Sequence, residues 1–239
     1  MKILVLIPAR NEAKCIAAQI TYLRALSRPQ NCQIEIIVAD GDSDDATRVL
    51  AESAGAHVLG CKANRGVQQN AAAQIANGDI LWFLHADSKP HPRALEYLSR
   101  AARNPKTSGG NFRLHFETHA GKDKFWPRVF ETIARTQRKR GGYYGDSGIW
   151  VRREVFQMLV GFKEWPLFED FDFARRLEKF SSRHGMRTEY SPLEIIASAR
   201  RFQTSPLRLL AQWIMLQTLF QIGVSPQRLA RIYFGKTDL

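Results

Sequence analysis

Residues 79–95 read DILWFLHADSKPHPRAL: five apolar positions, Ile80 to Leu84, run unbroken and then stop on His85, Ala86 and Asp87, with Pro90 and Pro92 following. An apolar run of this length, ended by polar and turn residues, is the pattern of a strand buried on both faces. The same design recurs upstream in KILVLI (2–7), IEIIVA (34–39) and HVLG (57–60). Helical stretches are predicted between and after them, near Asn11–Leu26, Ser43–Ala54, Val67–Asn77 and Pro92–Arg103. Alternation of buried strands with helices predicts a doubly wound α/β half, with a parallel sheet covered by helices on both faces.

Open sheets of that kind bind ligands outside the carboxyl ends of their strands. The segments expected there are PARNEA, DGDSDDAT, CKANRG and HADS, in chain order. Asp40 and Asp87 stand just beyond two apolar runs and are expected in equivalent places. Taken alone, Asp40 reads as a helix cap, the common use of Asp in a strand-to-helix turn, and Ser43 and Asp44 offer cap oxygens as well. Two such acids beside Arg10, Glu12 and Arg65 point instead to a nucleotide, whose ribose or base takes acceptors and whose phosphates take Arg and a metal ion. Neither G-x-G-x-x-G nor a Walker loop follows the first strand, which argues against a dehydrogenase and a P-loop enzyme.

The chain has 239 residues, 44% apolar and 24% charged, enough for a large α/β domain with its own core. Only five apolar residues follow Lys2 before Pro8 and Arg10, so a strand is expected there rather than a secretory signal. The three cysteines, Cys15, Cys32 and Cys61, have no C-x-x-C spacing, and a reducing, cytoplasmic setting is expected. Lys and Arg outnumber Asp and Glu by 35 to 23, a net charge of +12, with the excess after residue 90 in RTQRKR (135–140), VRREVF (151–156) and SARRF (198–202). No nucleic-acid-binding motif accompanies the charge, so an anionic membrane surface or a phosphorylated substrate is preferred to nucleic acid. RTQRKR itself reads as a solvated helix face.

In the second half, SGGNFRLHFE (108–117) alternates like a strand with one wet face, and SGIWVRREVF reads as a strand running into a helix. Between them RVFETIARTQRKRGGYYGD reads as a helix and a glycine-softened loop able to act as a lid. PLFEDFDFARRL places Glu169, Asp170 and Asp172 just ahead of a helix, where acids complement the helix dipole. Ser205 and Pro206 open a C-terminal helix whose apolar run, broken by Gln212, Gln217, Thr218 and Gln221, falls short of the ~20 apolar residues a bilayer span needs. That helix either packs on the domain or lies at a membrane interface beside Arg208, Arg228 and Arg231.

Five blocks, LIPARNEA, IIVADGDSDDAT, NRGVQQNAAAQIANGDILWFLHADS, YGDSGIWVRREVFQMLVGF and PLFEDFDFARRL, resemble in order the motifs of family 2 glycosyltransferases of the GT-A fold. SARRF and GVSPQRLARIYF are similar to C-terminal signatures of a bacterial subgroup with poorly defined acceptors. The resemblance implies a Rossmann-like, mostly parallel sheet with helices on both faces. It implies a GT-A domain over 1–204, with a nucleotide-sugar half (1–104) and an acceptor half (105–204), and a helical extension over 205–239.

Residue by residue, it implies that Pro8, Arg10 and Glu12 lie in the first nucleotide-binding loop, that Asp40 binds the nucleobase, and that Arg65 lies near base and phosphates. Asp87 matches the last acid of a D-x-D-like motif, which coordinates Mn²⁺ or Mg²⁺ on the donor diphosphate. His85 replaces the first acid, as a second metal ligand or a ribose contact, and Asp42 stands where the family has Gly or Ser. Asp170 matches the general base, with Asp146, Glu169, Arg200 and Arg201 near the acceptor or the diphosphate and Asp172 structural. The implied reaction is inverting, metal-assisted transfer of sugar from a UDP- or GDP-sugar to the hydroxyl of a lipid-linked or saccharide acceptor, by a cytoplasmic enzyme that is soluble or peripheral on the membrane. The competing readings are a metal-dependent sugar nucleotidyltransferase and a catalytically silent sugar-nucleotide-binding protein at a membrane surface.

Overall fold

The computed structural model describes residues 1–117, 125–198 and 205–235. Its strands are β1 (Lys2–Ala9), β2 (Gln33–Asp40), β3 (His57–Gly60), β4 (Ile80–Phe83), β5 (Lys89–Pro90), β6 (Thr107–Glu117), β7 (Trp150–Arg152) and β8 (Arg187–Ser198). All join one sheet in the order β3-β2-β1-β4-β7-β6-β8-β5. The first four are mutually parallel; β7 runs antiparallel to β4 and β6, β8 runs parallel to β6, and β5 closes the edge antiparallel to β8.

Strand periodicity sorts the core into two layers. Ile3, Val5 and Ile7 of β1 pack with α1 (Ile16–Arg24), α2 (Thr47–Ser53) and α4 (Ala94–Ala102). Leu4 and Leu6 face the opposite way, toward α3 (Arg65–Ile75), α6 (Arg153–Met158) and α7 (Glu169–Arg183). Both faces of β1 and β4 are therefore buried, which explains their unbroken apolar runs, and each such side chain contributes about 1.5–3 kcal/mol.

Several boundaries differ from expectation, for local reasons. Helix α1 begins at Ile16 rather than near Asn11, and α2 at Thr47 rather than Ser43. The chain reverses first: Asn11 and Asp42 adopt left-handed φ of 57° and 55°, a conformation Asn and Asp tolerate. Helix α3 starts slightly earlier than expected, at Arg65, because the Asn64 side chain accepts the Val67 amide at 3.1 Å.

Strand β6 lacks the single wet face expected of it. Residues 107–112 are all buried, and alternation begins only at Arg113, where the pairing with β8 shifts register. Gly110 permits the close approach of β8, since a Cβ there would lie 2.0 Å from the Glu189 carbonyl oxygen. Strand β8 itself was not anticipated; Arg187, Glu189, Pro192 and Glu194 dilute its apolar pattern.

The last described elements are α5 (Phe125–Lys139), α8 (Pro206–Gln221) and α9 (Pro226–Phe234). Of the two readings of the C-terminal helix, packing is observed: Leu216 and Leu229 are buried against Phe168 and Phe171. The outer side keeps Leu207, Ile214, Met215 and Ile222 in solvent. Among the described residues no helix is long and apolar enough to cross a membrane.

Candidate active site

At the carboxyl edge, the ends of β1 and β2 are joined through one side chain. Gln68 of α3, buried, donates from Nε2 to the carbonyls of Ala9 and Ala39, both at 2.9 Å. The two following loops are laced together: the Asn11 amide donates to Ser43 Oγ (2.9 Å), the Asp44 amide to Asn11 Oδ1 (2.9 Å) and the Glu12 amide to Thr47 Oγ1 (2.7 Å). Pro8 aligns with Ala39 beyond the end of β4, where its missing amide costs no ladder bond. Arg10 is exposed; Glu12 is half-buried and accepts from Cys15 Sγ at 3.2 Å.

Asp40 is buried and accepts from the Ser43 hydroxyl (2.5 Å) and amide (3.2 Å). It caps this turn rather than the helix, because Ala46 occupies the N-cap position of α2 without a side-chain bond. That corrects the helix-cap reading.

Beyond β4 the HADS turn closes through the Ser88 amide on the His85 carbonyl (3.1 Å), and Gln19 donates to the Ser88 carbonyl. Asp87 is exposed, four residues past the end of its strand, whereas Asp40 is the buried last residue of its own. The two acids are thus not equivalent, as the sequence had suggested. His85 is 18% exposed and turns Nδ1 to Asp146 Oδ1 at 3.0 Å, leaving Nε2 buried without a partner.

Among the described residues no three His, Cys, Asp or Glu side chains gather into a metal cage. A hard divalent ion would fit here in one way, with the exposed Asp87 carboxylate as a protein oxygen ligand and a bound substrate and water completing its coordination.

The acidic turn completes the edge from the second half. Phe168, with φ 65°, leads into α7, so Glu169 and Asp170 both lie in its first turn and are 3% and 6% exposed. Asp170 is fixed by two amides, Gly145 N–H on Oδ2 (2.7 Å) and Phe171 N–H on Oδ1 (2.6 Å). Gly145 opens a short 3-10 turn, Gly145–Ser147, which carries Asp146. A Cβ at Gly145 would stand 2.9 Å from His85 Nε2 and 3.2 Å from Asp170 Oδ2, so glycine lets the imidazole and the carboxylate approach one another.

Glu169 Oε1 lies 3.4 Å from Arg65 Nη1 but accepts no hydrogen bond. Burial pushes the Glu169 carboxyl up to about 7; Arg65 works against that rise, Asp170 adds to it, and His85 lowers it slightly. Asp172 joins a separate network, with Lys163 Nζ at 2.9 Å and Arg176 Nε at 2.6 Å.

The fold therefore brings Arg65, His85, Asp146, Glu169 and Asp170 into one charged cluster, with Asp87, Asp40, Arg10 and Glu12 on the same sheet edge. Arg200 and Arg201 lie outside the described residues. Two contributors were missed from sequence: the Gly145 amide and Tyr144. Tyr144 stacks on Phe171 at 5.2 Å and donates its hydroxyl to Gln217 Oε1 at 2.6 Å, tying α8 to the acidic turn. The signal was the glycine-flanked YYGDSG, readable only as a loop.

Known proteins resemble the chain in both sequence and shape. An undecaprenyl-phosphate 4-deoxy-4-formamido-L-arabinose transferase of Klebsiella pneumoniae is 27% identical over 229 residues, covering 88% of this chain and 70% of the relative. The mannosyltransferase PcManGT from Pyrobaculum calidifontis, solved with GDP-Man and Mn²⁺, superposes with a TM-score of 0.66 at 16% identity, covering 98% of this chain and 68% of that one. Glucosyl-3-phosphoglycerate synthase from Mycobacterium tuberculosis, solved with Mn²⁺, UDP and glucosyl-3-phosphoglycerate, gives 0.58 at 19% identity over 93% and 80% of the two chains. These structures share the mixed α/β GT-A fold seen here. The sequence model of glycosyl transferase family 2 matches residues 4–159, which hold most of the sheet, and the chain belongs to that family.

Proposed function

We propose that this glycosyltransferase moves a sugar, with inversion, from a UDP- or GDP-sugar to an acceptor hydroxyl. The observation that carries the reading is the pairing, on one sheet edge, of an exposed carboxylate, Asp87, with a buried, amide-fixed one, Asp170. Asp40, Pro8, Arg10 and Glu12 hold the nucleoside end, and Arg65 faces the diphosphate. Asp170 accepts the acceptor proton as its oxygen attacks the anomeric carbon and the bond to the diphosphate breaks. Its two amide bonds orient it, and each oxygen retains a lone pair for the incoming hydroxyl. A divalent ion at Asp87, when bound, neutralises charge on the departing diphosphate.

The relatives named for undecaprenyl phosphate, together with the apolar outer side of α8 and α9, favour a lipid-linked acceptor at a membrane surface. Exposed Arg208, Arg228 and Arg231 lie along the same helices, and each is worth about 1 kcal/mol near anionic lipid. Flotation with anionic vesicles, lost in high salt and absent with neutral vesicles, is the expected result; equal flotation with both vesicle types refutes this placement.

Thermal shift with UDP- and GDP-sugars, with and without Mn²⁺, tests the donor reading. Ligand at 100-fold over Kd stabilises by about 2.7 kcal/mol, a shift of about 5–11 °C for a chain of this size. Consumption of nucleoside triphosphate and sugar phosphate would instead establish the nucleotidyltransferase. Stabilisation with no transfer to polyprenyl phosphate or saccharides and no donor hydrolysis would favour the silent binder.

A further inference from the structure

The Arg65–Glu169 pair is built unlike the other ion pairs of this edge. Glu169 is almost completely buried, yet its Oε1 accepts no hydrogen bond, and the guanidinium that compensates it stands 3.4 Å away and is about half exposed. Arg65 is the first residue of α3, between the loops after β1 and β2 and the acidic turn, and it meets Glu169 through Nη1. The other donors of its planar fork remain for a diphosphate. Three elements set the field at Glu169: Arg65 from α3, Asp170 beside it on α7, and His85 from the turn after β4. Asp146 acts on Arg65 as well, and holds His85 Nδ1.

We propose that Arg65 is shared between the donor diphosphate and Glu169, so that donor binding draws a proton onto the Glu169 carboxylate. When a diphosphate engages the guanidinium, Glu169 loses part of the charge that offsets its burial. That loss favours the neutral acid, so a proton passes from the acid form of the buffer to a Glu169 oxygen, its bond to the buffer breaking as the carboxyl O–H forms. Asp170 is engaged differently, with a backbone amide on each of its oxygens. A neutral Glu169 removes one negative charge from beside the donor and from beside Asp170. With the Glu169 carboxyl pushed up to about 7 by burial, the uptake is expected between pH 7 and 8.

The inference rests on the nucleotide-sugar reading, and the test separates the two. UDP-GlcNAc and GDP-mannose are titrated calorimetrically into the full chain at pH 7.5, with Mn²⁺, in buffers of different ionisation enthalpy. These donors are diesters of diphosphate and carry no proton of their own to release near that pH. The expected result is net uptake of about half a proton per bound donor, abolished in Glu169→Gln with donor binding retained. Arg65→Met should bind more weakly and lose most of the uptake, since Glu169 is then already neutral. Donor binding without proton uptake, or uptake unchanged in Glu169→Gln, overturns the coupling while leaving the donor site intact. Absence of binding by either donor, also seen in thermal shift across other UDP- and GDP-sugars, overturns the donor reading and the coupling with it.

Discussion

The loops after β1, β2 and β4 and the acidic turn each present carboxylates at the same sheet edge, but on different physical terms. In the loops after β1 and β2, acids are absorbed into the chain's own scaffolding: Asp40 holds Ser43, and Asp45 accepts from Thr47, a bond that lowers its carboxyl below the ordinary range. Asp87, past β4, is left to solvent. In the acidic turn, Glu169 and Asp170 are adjacent and both buried, one without a hydrogen bond at Oε1 and the other with two backbone amides. Burial raises the Glu169 carboxyl, whereas Asp170 is held in place by backbone amides on both oxygens.

The largest test of that contrast is Asp170→Asn. It retains shape but cannot accept a proton, so transfer to a hydroxyl acceptor should fall about 10² to 10⁴-fold, with donor affinity unchanged. A phosphate acceptor is already ionised and needs no base. Full activity of Asp170→Asn with polyprenyl phosphate alone would therefore identify the nucleophile as a phosphate oxygen, while full activity with hydroxyl acceptors would remove Asp170 as base.

Next is Asp87→Ala, expected to abolish the Mn²⁺-linked part of donor affinity, about tenfold or more, or about 1.4 kcal/mol. Calorimetry with and without Mn²⁺ reads this directly, and an unchanged metal-linked affinity would return Asp87 to the surface.

Glu169→Gln sharpens the comparison through stability. The Glu169 carboxyl is raised from 4.5 to about 7 in the folded chain, so between those values the native state holds a proton that the unfolded state has released. Wild-type stability should therefore fall as pH rises from 5 to 8, by up to about 3 kcal/mol, and the variant should lack that slope. Denaturant midpoints at the two pH values decide it; parallel behaviour of the two proteins would mean that Glu169 is not held neutral by burial. Smallest is Asp172→Asn. Its pairs with Lys163 and Arg176 are partly exposed, so the loss should be about 1 kcal/mol of stability with donor binding untouched. Loss of donor binding without destabilisation would make Asp172 part of the site.

The strands of the first half were legible because burial on both faces leaves nothing to interrupt an apolar run; KILVLI, IEIIVA and ILWFLH all lie in or across β1, β2 and β4. Strand β8 was not legible, since Arg187, Glu189 and Glu194 alternate with residues whose cover comes from distant elements. Of the candidate site, residue types and their order in the chain announced Asp40, Asp87 and the acidic turn. They did not announce that Asp40 serves Ser43, that His85 turns to Asp146, or that Gly145 fixes Asp170.

The sequence by itself determined the doubly wound sheet and the edge at which its polar loops collect, because strand periodicity and buried runs are local properties of the chain. Only the tertiary structure decided which acid is buried without a hydrogen bond at Oε1, which is fixed by amides and which faces solvent. Those states depend on burial and on amides brought from residues far along the chain, as Gly145 is to Asp170 and Arg65 to Glu169. Electrostatic environment is a property of neighbours in space, and no local spacing records it.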